Sequence, residues 1–121
     1  MKRLLIFAAS LVVARATVQA CLLRRPHILT LVASADHPED HACAVYMEAV
    51  IKGESPDIDQ LLRPLRESAR YARLMSGAWP GFPPTDLELA LEPDRFDFAM
   101  PLTREAGYLR LSRADQPTAK G

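Results

Sequence analysis

Apolar positions along the chain recur with two different periods. Leu4 to Ala8 is a short continuous apolar run, the pattern of a buried strand. Ser10 can cap a helix after it. Leu11, Ala14, Val18, Cys21 and Leu22 then fall at helical spacing, with Arg15, Gln19, Arg24 and Arg25 on the other faces. The terminal arginines suit the negative end of a helix, and Pro26 ends it. Next, "ILTLVA" from Ile28 to Ala33 is rich in β-branched and apolar residues and predicts an interior strand.

A helix is expected from Glu39, with Ala42, Cys43, Tyr46, Met47, Val50 and Ile51 as its apolar stripe. Glu48 and Lys52 form a favourable pair four apart, and Gly53 supplies the stop. Asp57 caps a further helix whose inward face is Ile58, Leu61, Leu62 and Leu65. Pro64 lacks an amide hydrogen, so a kink or break is expected there, with helix resuming to about Met75. "SGAWPGFPP" is a loop by composition, and Trp79 and Phe82 are expected to pin it to the body. Thr85 and Glu88 have capping-box spacing for a short helix to Leu91. "RFDFAMP" from Arg95 and "GYLRLS" from Gly107 predict strands that pair as a hairpin across "LTREA".

The expected fold class is therefore α/β: a layered sheet with flanking helices in the order β-α-β-α-α-α-β-β. The first β-α-β unit predicts a right-handed parallel crossover. Residues 1–111 form one α/β domain or half-domain on this reading, and residues 112–121 a flexible tail.

Composition adds exclusions. With 121 residues the chain fits one small domain, and its 15 basic and 15 acidic side chains cancel. No basic field for nucleic acid follows. Cys21 and Cys43 sit among apolar neighbours and predict two reduced, buried thiols rather than a disulfide framework. The start, "MKRLLIFAASLVVARATVQAC", also has the outline of a signal peptide cut before Cys21. Arg15 interrupts that outline and the apolar run is too short to span a bilayer, so pattern favours a strand feeding a helix, with no membrane partner.

Chemistry concentrates in "DHPED", Asp36 to Asp40, between a predicted strand end and a helix start. Two functional readings are physically open. Free backbone amides at a helix start can hold a phosphate or sulfonate. Carboxylates there can hold magnesium, a hard cation that wants a few oxygen ligands plus waters. The structural alternative is that acidic residues in a first turn simply complement the helix dipole, and composition and spacing favour it. Zinc is disfavoured: His37 falls in the loop, Cys43 belongs to the buried stripe away from His41, and no second cluster completes four ligands. His27 carries no motif. The chain has no Walker loop, dinucleotide glycine fingerprint or nucleophile elbow. The charges of "TREAG" and "DRFD" read as solvated edges.

Several stretches in order resemble the C-terminal part of the 2-phosphosulfolactate phosphatase family. They are "ASLVVARATVQACL", "TLVASADHPEDHACAVYMEAVIKG", "PDIDQLLRPLRES" and, most specifically, "PTDLELALEPDRFDFAMPLTREAGYLRL". The resemblance implies the C-terminal part of a larger α/β domain and a magnesium-dependent phosphatase. Such an enzyme hydrolyses a small phosphorylated acid to the hydroxy acid and phosphate on the coenzyme M route, so the expected partner is a small phosphorylated or sulfonated acid. It matches Glu39 and Asp40 to the family's Glu-Asp pair, expected near the phosphate or metal, and makes Asp36 a metal candidate.

Departures accompany the match. Val13 stands where the family often has Asn, and Ser34 and Ala35 stand in place of glycine. The family's N-terminal half, with an Asp-x-Leu-Arg-Ala-Thr-like segment, has no counterpart here. A half-domain inactive alone, with exposed apolar surface and self-association, is therefore expected, in the cytoplasm. The alternative is a non-catalytic accessory module that uses the same loop as an anion site.

Overall fold

The computed structural model describes residues 4 to 115, and among them the fold is mixed α/β. Strand β1 (Ile6–Ala8) leads through a 3-10 turn (Leu11–Val13) into helix α1 (Ala14–Leu22). Helices α2 (Pro38–Ile51), α3 (Ile58–Arg66), α4 (Ala69–Met75) and α5 (Pro84–Ala90) come next. Strands β2 (Phe98–Glu105), β3 (Tyr108–Leu111) and the two-residue β4 (Ala114–Asp115) close the described chain.

The helical region has one continuous core. Leu62 and Leu65 of α3 are almost fully buried and share one core cluster with Tyr46 and Met47 of α2, Leu74 of α4 and Leu87 of α5. Each such leucine contributes about 1.5–3 kcal/mol by leaving water. Helix α1 is buried on two sides. Ala14 and Val18 belong to the helical core, while Ala16, Thr17 and Ala20, with Val13 of the turn before the helix, are buried outside it. These mostly small side chains let α1 lie close against β2, where Ala99 is fully buried. The one buried hydroxyl there, Thr17, donates to the Val13 carbonyl at 2.7 Å.

The sheet is antiparallel throughout. β2 pairs with β1 on one side (Ile6 opposite Leu102) and with β3 on the other (Leu102 opposite Leu111). β4 continues the β3 register, with Ala114 opposite Ala99. The interruption at Ser112 and Arg113 has a simple cause. The Ser112 amide donates to the Pro101 carbonyl at 3.1 Å, and Pro101 has no amide hydrogen to return. The hairpin turn is only Ala106 and Gly107, and Gly107 takes the left-handed conformation at φ +82°.

Several expectations change. Ile28 to Ala33 is no strand: it joins no ladder, because among the described residues no second strand lies beside it to accept its hydrogen bonds. The parallel crossover is therefore replaced by antiparallel β1–β2 pairing. β1 is an edge strand, with Ile6 and Ala8 exposed. α2 starts at Pro38, one residue early, because proline's fixed φ suits a first helical position. Pro64 lies inside α3 without ending it; the break comes where Ser68 caps α4 by accepting the Tyr71 amide. Trp79 and Phe82 pack edge to face on each other at 6.5 Å and stay 41% and 37% exposed, so they do not pin the loop inside. No capping box forms at α5: Pro84 opens the helix, and Glu88 turns to Tyr71 and Arg66 instead. "LTREA" is mostly strand, not turn. Of the expected tail, Ala114 and Asp115 join the sheet, and residues 116–121 lie outside the described chain, as do residues 1–3 of the signal-like start. Among the described residues no helix is long and apolar enough to cross a membrane.

One residue ties these layers together. Asp94 adopts φ +59°, a left-handed conformation that Asp tolerates better than most residues. Its amide donates to the Leu11 carbonyl at 2.9 Å, and the Phe96 amide donates to Val12 at 2.9 Å. Its carboxylate accepts the Arg15 amide at 2.8 Å, satisfying an otherwise open donor in the first turn of α1. The other carboxylate oxygen accepts the Tyr46 hydroxyl of α2. Burial, reinforced by this bond and by the Asp94 charge, pushes the Tyr46 phenol up from its ordinary value.

Asp94→Ala removes both side-chain bonds and leaves Ala at positive φ. It is expected to lower unfolding free energy by about 2–4 kcal/mol in urea titration. Asp97→Ala, at an exposed site nearby, is expected to change it by no more than about 0.5 kcal/mol. The raised Tyr46 pKa means that the folded state holds its proton more tightly. Its contribution is complete below about pH 10 and is lost as pH rises through the raised value. A Tyr46→Phe variant should therefore show a flatter alkaline stability profile than the parent.

Candidate functional site

The first turn of α2 collects the residues singled out by sequence. His37 is its N-cap and makes no side-chain cap bond; Pro38 is the first helical residue, and Glu39 and Asp40 come after it. The amides there are mostly spent. Pro38 has none, and those of Asp40 and His41 donate to the His37 carbonyl at 3.0 and 3.2 Å. Of these first four helical residues, only Glu39 keeps an amide free for a ligand, and Glu39 and its neighbour Asp40 both carry carboxylates. That is a poor cradle for an anion held by backbone alone.

The three candidate acids do not converge. Asp36 lies before the helix with its side chain 97% exposed and contacts His41 Nε2 at 2.6 Å. The hydrogen bond and charge of His41 hold its carboxyl below the ordinary value. Asp36 and His41 line a shallow open groove of about 670 Å³ with Pro38, Gln60, Leu61 and Pro64. Asp40 makes no hydrogen bond to another described side chain, and its charge acts on Cys43 one turn along the helix.

Glu39 is the distinctive member. Arg70 of α4 brings two guanidinium nitrogens to one oxygen, Oε1, at 3.0 and 2.9 Å. The other oxygen, Oε2, is buried and has no hydrogen-bond partner among the described residues. A buried carboxylate oxygen without a donor costs free energy unless something binds it. Arg70 was not among the residues singled out from sequence. No local spacing joins positions 39 and 70, and only the α2–α3–α4 packing brings them together.

The donor set suits magnesium only in part. Among the described residues no three acidic, imidazole or thiol groups gather in the way a dedicated metal site requires. Glu39 Oε2 is a hard oxygen donor without a partner among the described residues, with Asp40 beside it in sequence, but it is buried, so a cation that keeps most of its waters would reach it only if the carboxylate turned outward. Asp36 sits apart, committed to His41. A magnesium ion, when bound, would offset negative charge on a phosphoryl group.

A second polar cluster joins α3, α4 and α5. The Tyr71 hydroxyl donates to Glu88 at 2.6 Å, and Arg66 donates to both at 2.9 and 3.1 Å. Each member has its partner, so the cluster serves as a brace between short helices. The thiols are free and half-buried, and Cys43 packs against the core as its place in the apolar stripe implied. Burial first, then the charges of Asp40 and Asp94, pushes the Cys43 thiol up to about 11.

Comparison with protein-family models, with curated proteins and with solved structures finds no match to the chain.

A thiol with that pKa is almost wholly protonated near neutrality. At about pH 8, alkylation of Cys43 in the folded protein should be at least about tenfold slower than in urea, as read by mass spectrometry. Equal rates in both states would show that the environment of Cys43 does not suppress its thiolate.

Proposed function

We propose that this chain is part of a phosphatase-type domain that hydrolyses a small phosphorylated acid to the hydroxy acid and phosphate, with Glu39 and Asp40 at the phosphate end. The observation that carries the reading is the Glu39 carboxylate. One oxygen is fixed by Arg70, and the other is buried and unpartnered among the described residues. A charged pair of this kind can receive a phosphorylated substrate in two ways. Arg70 can turn its fork to phosphate oxygens, for which guanidinium geometry is well suited. Glu39, released from that pair, can accept a proton from water or face a hydrated magnesium ion. The likeness of "DRFDFAMPL" and "DHPEDHACAVYMEAVIKG" to the phosphosulfolactate phosphatases supplies the reaction class and the cytoplasmic setting.

On this reading the chain acts poorly by itself, and the sheet supports that. Residues directly opposite across strands share a face. Ala99 lies on the α1 side, so Ile6, Leu102 and Leu111 form a row on the opposite side. Ile6 and Leu111 there remain 49% and 50% exposed, and Leu109 59%. An apolar row across three strands is a surface on which the rest of such a domain would pack.

Calorimetry and phosphate release with magnesium and a phosphorylated hydroxy acid test the proposal together. The expected result is magnesium-dependent binding with little turnover, weakened at least about tenfold by Glu39→Gln and by Arg70→Met. Turnover that survives Glu39→Ala combined with Asp40→Ala would remove the assigned site. Absence of binding to any such acid would remove the reading.

A further inference from the structure

The segment from Ile28 to Ala33 has the side-chain pattern of a strand and the hydrogen bonding of none. Exposure alternates along it: Leu29 and Leu31 are half-buried, while Ile28 and Val32 are 84% and 83% exposed. Leu31 packs against the helical core, which holds the segment on the body. From His27 to Ala35, no backbone amide or carbonyl bonds to any other described residue. The usual protections of a free strand edge, a charge, a proline or a bulge, are missing between Ile28 and Ala33.

Charge indicates what pairs there. The stretch from Ile28 to Ala35 carries no ionised side chain. Arg25, exposed just past the end of α1, lies before it, while Arg24 is engaged within the chain, donating to the Ala20 carbonyl and lying over the Phe7 ring; Asp36, still open to solvent beside its contact with His41, lies after it. An antiparallel copy of the same segment brings the basic end of each chain to the acidic end of the other. A parallel copy would set like charges side by side.

We propose that Ile28–Ala33 pairs antiparallel with the same segment of a second copy of this chain, across a twofold axis at Thr30. This inference is independent of the phosphatase reading. The axis position rests on the exposure pattern. With Thr30 opposite Thr30, exposed Ile28 meets exposed Val32, and half-buried Leu29 meets half-buried Leu31. A shift by one residue would place half-buried Leu29 opposite exposed Val32, and the two faces would no longer match. The interface is isologous and closes on itself, so it yields a dimer rather than a filament. Main-chain hydrogen bonds supply the pairing, as in strand addition generally.

Site-directed disulfides in the full chain test both the pairing and its register. Under mild oxidation Thr30→Cys should link to itself, because opposed residues of an antiparallel pair lie within disulfide reach. Ile28→Cys mixed with Val32→Cys should link in the mixture, and each alone should link at least about fivefold more slowly than Thr30→Cys. The parent, carrying only Cys21 and Cys43, is the control for native thiols. Val32→Lys, at a site too exposed to disturb the core, should move the protein to monomer in sedimentation. Three results overturn the proposal. One is Thr30→Cys linking no faster than Val32→Cys. Another is a parent that stays monomeric at about 100 μM, whose Ile28–Ala33 amides are then either free or covered from within the same chain. The third is a dimer that Val32→Lys leaves intact.

Discussion

The arrangement of this small domain depends on the Asp94 carboxylate more than on any single apolar contact. Three elements far apart in sequence must meet there: the first turn of α1, the middle of α2 and the approach to β2. Apolar burial pulls such elements together without direction, roughly in proportion to the area removed from water. Direction comes from the two oxygens of Asp94, one on the Arg15 amide and one on the Tyr46 hydroxyl. The main chain around Asp94 adds bonds to Leu11 and Val12, which fix where β2 begins relative to α1. The small side chains of α1 then lie close on Ala99, and the sheet receives its covered face.

Local signals made the helices legible. The stripe from Ala42 to Ile51, the Asp57 cap and the Gly53 stop all report near-neighbour physics, and each appears where spacing placed it. The hairpin strands were legible for the same reason, although β2 runs further than its composition implied. Ile28 to Ala33 failed because strand propensity states what a segment can do once a partner exists. It cannot say whether one is present. Asp94 failed in the opposite direction. "DRFD" read as an ordinary solvated run, and its capping role spans 79 positions, beyond any periodicity. The capping-box spacing of Thr85 and Glu88 lost to a tertiary alternative, in which Glu88 accepts from Tyr71 and Arg66.

The same division holds at the candidate site. Glu39 and Asp40 were found by their position at a helix start, and Asp36 by its place in the preceding loop. Their grouping was not legible. The structure commits Asp36 to His41 and Glu39 to Arg70, and so separates two acids that lie three positions apart. What distinguishes Glu39 from a simple dipole complement is its unpartnered oxygen, a property of packing that no spacing rule contains. The open apolar row of the sheet and the unpaired Ile28–Ala33 segment add a consistent feature. Both leave apolar side chains exposed, the row on the sheet at Ile6 and Leu111 and the segment at Ile28 and Val32.

Asp94 organises the meeting of α1, α2 and β2 through coupled bonds rather than independent ones. A double-mutant cycle between Tyr46 and Asp94, measured by urea unfolding of the parent, Tyr46→Phe, Asp94→Ala and the double variant, tests this most directly. The expected coupling is about 1–2 kcal/mol, because either change alone already breaks the shared bond. Strictly additive losses, with coupling below about 0.3 kcal/mol, would contradict it.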